Sequence, residues 1–190
     1  TLGSYLAASG LSVNPTWVAT AAIVLLTAAH CTSHRRSGGT QTVFTLVKLI
    51  LILGFSAAAL LLGSTEHQAD FTWASDSGAL LGSGAFAVSL IYVNYAYSGW
   101  NAATYISGEL ASPQKSLPWV LGISTTVVAV LYCLLNYVFL SVAPIDAMMG
   151  KVEIGVIAAE FAFGSTLGAS MGLLLALLLI STISAMILAG

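Results

Sequence analysis

One lysine lies where a charged side chain is most costly. Residues 40–63 are mostly apolar, and Lys48 is the charged residue among them. A charge at the centre of a membrane helix costs about 2.5–3.5 kcal/mol on insertion scales. A lysine at such a place either pairs with carbonyl groups and packs two helices, or forms part of an ion path or substrate site. Because burial favours the neutral form of lysine, Lys48 is also a candidate for proton coupling.

A second group combines aromatic, amide and small side chains near the middle of the charge-free residues 77–108. Its members are Tyr92, Asn94, Tyr95, Tyr97, Ser98, Gly99, Trp100, Asn101 and Tyr105. An aromatic belt at the membrane surface is one interpretation, but belts lie at the ends of spans. Ser98 and Gly99 weaken a helix, and a break at membrane depth is tolerated where it lines a cavity. Transporters hold substrates at such breaks, which favours a binding site.

The last apolar run, residues 161–190, carries small and hydroxyl-bearing residues. Gly164, Gly168 and Gly172 recur every four residues, a spacing that lets another helix pack closely. The hydroxyl-bearing residues after them are Ser181, Thr182 and Ser184. Such hydroxyl groups usually bond to a carbonyl one turn earlier, and the alternative is that they face a cation site.

The composition shows which environment these residues occupy. Of the 190 residues, 58% are hydrophobic and 6% are charged. Soluble domains carry about 25% charged residues, so this chain could not cover a water-facing surface. The net charge of −2 offers no basic surface to nucleic acid. We therefore predict an all-α polytopic membrane protein in a lipid bilayer, rather than a soluble enzyme, a nucleic-acid binder or a disordered chain.

Five membrane helices are expected, since a span needs about 20 mostly apolar residues. Their predicted bounds are 16–33, 40–63, 80–108, 118–143 and 161–190. Pro15 and Pro118 stand at or just before helix starts, where a missing N–H is tolerated. Residues 143–160 are expected to include a short amphipathic helix over the outer surface. Because the chain starts without Met and stops within an apolar run, we expect an internal part of a longer protein.

Basic residues in short loops predict the orientation. Five alternating helices place loops 33–39 and 109–117 on one side, and the basic residues of these loops are Arg35, Arg36 and Lys115. The loops on the opposite side, 63–79 and 144–160, have Lys151 as their single Lys or Arg. This excess of cations predicts that the first side is cytoplasmic, in a plasma or inner membrane.

Catalysis in lipid would require paired acids, a histidine cluster or an activated nucleophile. No Asp or Glu lies within the middle of a predicted span. His30 and His34 have i, i+4 spacing without a third ligand nearby, so we expect no metal site. The two cysteines lie in apolar runs and are interpreted as small core residues. We predict no enzyme activity and no cofactor, although an arrangement of Ser98 with Lys48 stays open.

The stretch from Tyr95 to Pro118 reads Y-A-Y-S-G-W-N-x7-E-x3-P-x-K-x-L-P. It resembles the sixth-helix signature of amino acid permeases in the amino acid–polyamine–organocation (APC) superfamily, nearest to the L-type amino acid transporter branch. Residues 14–62 are similar to helices four and five of that family, with its helix-five lysine at Lys48. Residues 118–143 and 161–190 resemble helices seven and eight.

The resemblance implies a transporter fold of twelve helices, in which the first ten form two inverted repeats of five. This chain would correspond to helices 4–8. Residues 1–63 would end the first repeat, residues 64–79 would form an extracellular loop, and residues 80–190 would begin the second repeat.

The resemblance also implies a substrate site at an unwound segment of helix six, where backbone carbonyls would meet the ammonium group of an amino acid. The residues implied to bind substrate are Tyr95, Ala96, Tyr97, Ser98, Gly99, Trp100 and Asn101. Tyr95 matches an aromatic gate that is more often Phe in the family.

The resemblance places Lys48 and Ser181 near the position that sodium takes in sodium-coupled relatives. Transport would then be sodium-independent, by proton coupling or exchange. Glu109 and Lys115 match gating or structural positions at the cytoplasmic end of helix six.

A neutral amino acid is the expected substrate, because no acidic residue at membrane depth is present to pair with a dibasic one. A sodium-coupled symporter of the same fold is the nearest alternative, and repulsion by Lys48 disfavours it. A non-transporting sensor or subunit, which would bind an amino acid without carrying it, is another alternative. The sequence identifies no accessory subunit.

Overall fold

The chain folds into helices. A computed structural model describes residues 2–10, 14–32, 37–63, 77–105, 107–110 and 112–189, and every regular element in these ranges is helical. The longer helices are α2 (Pro15–Thr32), α3 (Ser37–Leu62), α5 (Gly84–Ala96), α7 (Pro113–Val142), α9 (Ile154–Phe163) and α10 (Ser165–Ala189). The short helices are α1 (Leu2–Ala8), α4 (Ser77–Leu81), α6 (Asn101–Tyr105) and α8 (Ile145–Met148). The predicted all-α class is confirmed.

Three helices in the described ranges are long and apolar enough to cross a membrane. They comprise Gln41–Leu62, Pro113–Val142 and Ser165–Ile187, and they confirm three of the five predicted spans. The apolar part of α2, Thr16–Ala28, is shorter. The predicted span 80–108 is divided among α4, α5 and α6. Long apolar helices of this kind identify an integral membrane protein.

The predicted start of α7 at residue 118 is wrong. The helix begins at Pro113, so Pro118 lies inside it. Pro113 occupies the first helical position, where its missing N–H needs no partner. The carbonyl of Ser112 accepts hydrogen bonds from the backbone N–H groups of Lys115 and Ser116, at 3.2 and 3.0 Å, which starts the helix before Pro118.

The predicted helix 161–190 is also displaced, because its first residues belong to α9. Gly164 has φ +90°, a conformation that favours glycine, and it separates α9 from α10. The loop expected to carry one short helix contains two, α8 and α9.

The helices form two compact units. One unit comprises Thr1–Ala69 with Leu131–Leu188, and the other comprises Asp70–Val130. Lys48 and Ser181 belong to the first unit, and the motif that begins at Tyr95 belongs to the second. The division into inverted repeats at residues 64–79 stays a prediction.

The core of the first unit forms where α9 meets α3 and the end of α7. Its buried members are Phe55, Ala59, Val138, Val142, Ala143, Met148, Ala158, Ala159 and Ala162. The many alanines allow close helix approach, as small residues do in membrane proteins. The ring of Phe55 lies 6.2 Å from those of Phe139 and Phe163, within the range of favourable aromatic pairs.

The glycines of α10 provide space for neighbouring elements. A Cβ atom on Gly172 would lie 3.2 Å from the carbonyl oxygen of Tyr5 and 3.3 Å from Cγ2 of Val156. A Cβ atom on Gly168 would meet the side chain of Glu160. The predicted packing role is confirmed at these two positions, whereas Gly164 serves the turn between α9 and α10.

Tyr5 joins α1 to the segment before α9. Its hydroxyl donates a hydrogen bond to the carbonyl oxygen of Val152 at 3.2 Å. Burial raises the pKa of the Tyr5 phenol, and the negative charge of Glu153 acts in the same direction. The phenol therefore keeps its proton at neutral pH and remains a donor to Val152.

We expect Gly172→Leu to lower the stability of the protein by about 1–3 kcal/mol, because the added side chain must displace the backbone of α1. The measurement is thermal unfolding of the purified whole protein in detergent. Gly54→Leu is the matched control, since a Cβ atom there meets no other atom within 4 Å and the position borders an open apolar groove. Equal loss in both variants would contradict the packing role of Gly172.

Candidate substrate and ion-coupling sites

The helix that carries the aromatic motif changes type at Tyr97. Ser83 caps its start, where the Ser83 hydroxyl accepts a hydrogen bond from the N–H of Phe86 at 3.2 Å. The α-helix ends at Ala96, and Tyr97 has φ −94° and ψ 1°. A 3-10 turn, Ser98–Trp100, follows before α6. The interruption therefore lies beside the Ser98-Gly99 pair that suggested it.

Hydroxyl groups bond to the backbone on both sides of this interruption. Ser98 Oγ donates to the carbonyl of Tyr95 at 2.7 Å, and Thr104 Oγ1 donates to the carbonyl of Asn101 at 2.6 Å. The N–H of Tyr97 lies 3.1 and 3.3 Å from two carbonyl oxygens, those of Asn94 and Val93. The Tyr95 carbonyl accepts both the Ser98 hydroxyl and a backbone N–H at the end of α5, so its two lone pairs are already used.

The large side chains of this segment are exposed in their unit. Tyr95 is 78% exposed and Trp100 is 56% exposed. Tyr97 is half-buried, and a Cβ atom on Gly99 would meet no other atom within 4 Å. The seven predicted binding residues thus form one short segment with exposed aromatic residues. Their role in binding a substrate stays a prediction.

Lys48 in α3 contacts α10. Its Nζ atom donates a hydrogen bond to Oγ1 of Thr182 at 2.9 Å. Thr182 Oγ1 in turn lies 3.4 Å from the carbonyl oxygen of Leu178, a long hydrogen bond. Within the described part of the chain, Thr182 is the polar partner of this half-buried ammonium group. The contact joins two of the membrane-spanning helices through a charged donor.

Ser181, the residue expected to accompany Lys48, has different surroundings. It is 1% exposed, and its hydroxyl has no hydrogen-bond partner among the described residues. Successive residues of an α-helix point about 100° apart, so Ser181 and Thr182 cannot face α3 equally. The sequence predicts a run of hydroxyl groups in α10 but not which of them reaches Lys48, and in the structure this is Thr182. A coupling role for Ser181 stays a prediction.

The other sequence candidates are only partly described. Glu109 ends the 3-10 turn Ser107–Glu109, but its side chain lies outside the described residues. Lys115 is exposed in the first turn of α7. Residues 33–36 lie outside the described ranges, so the orientation inferred from the basic loop stays a prediction. Among the described side chains, no group of three His, Cys, Asp or Glu could hold a metal ion.

Comparison with known proteins decides the family. The sequence model of a family described as amino acid permease matches residues 1–190. The chain belongs to the amino acid permease family. The resemblance drawn from the motif around Trp100 is therefore confirmed.

Similar proteins are amino acid transporters by name. The chain is 32% identical over 125 residues to b(0,+)-type amino acid transporter 1 of Oryctolagus cuniculus, covering 66% of the chain and 26% of that protein. It is 28% identical over 139 residues to the Homo sapiens protein of that name, and the match covers 73% of the chain and 28% of that protein. Large neutral amino acids transporter small subunit 2 of Mus musculus is 28% identical to the chain over 151 residues, and the match covers 76% of the chain and 27% of that protein.

This permease chain spans about a quarter of the length of those relatives, 26–28%. No solved structure matches it significantly.

We expect Lys48 and Thr182 of this permease to be coupled by about 1.5–3 kcal/mol, as a hydrogen bond with a charged donor implies. The measurement is a double-mutant cycle of Lys48→Met and Thr182→Val, followed by thermal unfolding of the whole protein in detergent. Thr182→Ser keeps the hydroxyl and should retain most of the coupling. Strictly additive effects of Lys48→Met and Thr182→Val would show that the contact contributes nothing.

Proposed function

We propose that the whole protein carries amino acids across the membrane by alternating access, without sodium. Membership of the amino acid permease family supports the reaction, and so do relatives named as amino acid transporters. The observation that carries the sodium-independent mechanism is the hydrogen bond between Lys48 and Thr182.

The proposed substrate site is the segment from Tyr95 to Asn101. The ammonium group of the substrate would bind to backbone carbonyls near Tyr95, Ala96 and Ser98, while Trp100 and Asn101 shape the pocket. The change from α-helix to 3-10 turn supports this assignment, because it alters the backbone hydrogen-bonding pattern at these residues. The Ser98 hydroxyl and a backbone N–H already donate to the Tyr95 carbonyl, so a bound ammonium would replace the hydroxyl there.

The proposed ion-coupling site is Lys48 with the hydroxyl groups of α10. A sodium ion near Thr182 would need its hydroxyl oxygen as a ligand, but that oxygen accepts a hydrogen bond from the Lys48 ammonium. Two unit charges 4 Å apart repel by about 4 kcal/mol at an effective dielectric constant of 20. Lys48 would therefore replace a coupling cation, and transport would run by proton coupling or by exchange.

Neutral amino acids are the proposed substrates, because the lysine is the charged group at membrane depth and no carboxylate in the predicted spans could pair with a dibasic side chain. In this proposal the loops 33–39 and 109–117 face the cytoplasm. Glu109 and Lys115 would then act near the cytoplasmic end of the substrate-binding segment.

The whole protein in liposomes should take up or exchange labelled neutral amino acids, and a variant with both Lys48→Met and Trp100→Leu should lose this flux. Lys151→Met and Trp119→Leu together are the matched control, since both residues are exposed and lie outside the proposed sites. Transport that survives the loss of Lys48 and Trp100, or a wild-type protein that moves no amino acid, would refute the proposal.

Replacing external sodium with choline should leave the rate of amino acid uptake nearly unchanged, because the Lys48 ammonium disfavours a cation at this place. The measurement is the initial uptake rate at matched ionic strength. Lys48→Met should be tested alongside, to learn whether the coupling depends on the ammonium group. A large loss of wild-type rate in choline would favour the sodium-coupled alternative.

A further inference from the structure

The last three turns of α7 have two chemically different sides. The core side carries Leu134, Leu135, Val138 and Val142. The opposite side, called here the polar face of α7, carries the exposed residues Tyr132, Cys133, Asn136 and Tyr137. Because an α-helix has 3.6 residues per turn, these two sets lie on opposite sides of the same helix.

The polar face lies within a membrane span. Tyr132 is ten residues before the end of α7 at Val142, which at 1.5 Å per residue corresponds to about 15 Å, or half the thickness of the hydrocarbon layer. An interfacial aromatic belt lies at the ends of a span, so it does not account for Tyr132. Polar residues at such depth face a protein interior or a water-filled cavity.

Asn136 shows what the polar face requires from its surroundings. Its Nδ2 atom donates an exposed hydrogen bond to the carbonyl of Tyr132 at 2.8 Å. This bond uses one of the four hydrogen-bonding positions of the carboxamide, which has two donors and two lone pairs. Lipid can supply no partner for the others, whereas water can.

Water explains this face better than a tightly packed helix does. Close helix contacts in membranes use Gly, Ala, Ser and Thr, as the glycines of α10 do here. Two tyrosines and an asparagine instead hold a neighbouring backbone away while they offer hydroxyl and amide groups. These groups can bind both water and the charged ends of an amino acid.

We propose that the polar face of α7 lines the water-filled path by which the amino acid crosses, an inference that rests on the proposed function. Tyr132, Asn136 and Tyr137 supply hydrogen-bonding groups along this path, with no covalent role. Cys133 lies among them, exposed and not in the core as the sequence predicted, and serves as a built-in chemical probe. None of these residues belongs to the substrate-binding segment from Tyr95 to Asn101.

The test labels Cys133 in the whole protein, with all other cysteines replaced by serine, using a membrane-impermeant methanethiosulfonate reagent applied from each side in turn. Thiols react as thiolates, which form in water, so Cys133 should react on the order of tenfold faster than a thiol that lies away from the water-filled path. Val127→Cys with Cys133→Ser is the matched control, because Val127 lies two and a half turns from Asn136, on the side of the helix opposite the polar face.

Millimolar L-leucine, a neutral amino acid, should slow the reaction of Cys133 several-fold by occupying the path. Asn136→Cys with Cys133→Ser should behave in the same way as the native cysteine. Reaction of Cys133 as slow as that of the Val127→Cys control would overturn the proposal, since lipid or a packed helix would then cover the face. Fast reaction without protection by L-leucine, in a protein that transports L-leucine, would also overturn it.

Amino acid flux is measured separately in the same preparations. A protein in which Cys133 reacts quickly but no amino acid moves would refute the proposed transport function rather than the exposure of this face to water. Failure of the path and failure of the function therefore give different results.

Discussion

The hydrogen bond between Lys48 and Thr182 is the constraint on which the arrangement of α3 and α10 depends. A charged ammonium group inside a membrane span must find a polar partner, and here the partner comes from another span. The two helices must then remain close enough for a bond of 2.9 Å. Apolar contacts along the same helices are compatible with many alignments, whereas this bond favours one.

The rest of the first unit provides the close packing that this bond requires. Alanines at the junction of α3 and α9, together with Gly172 of α10 against the backbone of α1, allow helices to approach without bulky side chains between them. The aromatic contacts of Phe55 fill the wider space near the end of α7. Close packing of complementary surfaces therefore holds most of these helices together, and the ammonium group of Lys48 adds specificity of alignment.

Three sets of polar residues have different environments, and each suits a different task. Lys48 is paired across two helices. The segment from Tyr95 to Asn101 bonds to its own backbone and exposes Tyr95 and Trp100. The polar face of α7 presents side chains on the side away from the core. Ion coupling, substrate binding and passage of the substrate, as proposed, would thus use residues from different helices.

The amino-acid sequence by itself determined the membrane class, the approximate positions of the long apolar helices, the interruption beside Ser98 and the isolation of Lys48. These features follow from composition and from local helix propensity. The apolar side chains of a short stretch of chain favour a membrane helix, and a glycine within that stretch weakens it. The predicted start of α7 at Pro118 was wrong, because hydrogen bonds to the Ser112 carbonyl begin the helix at Pro113 and the helix continues through Pro118. Only the tertiary structure decided that Thr182, rather than Ser181, meets Lys48, since that choice depends on how α10 is rotated against α3.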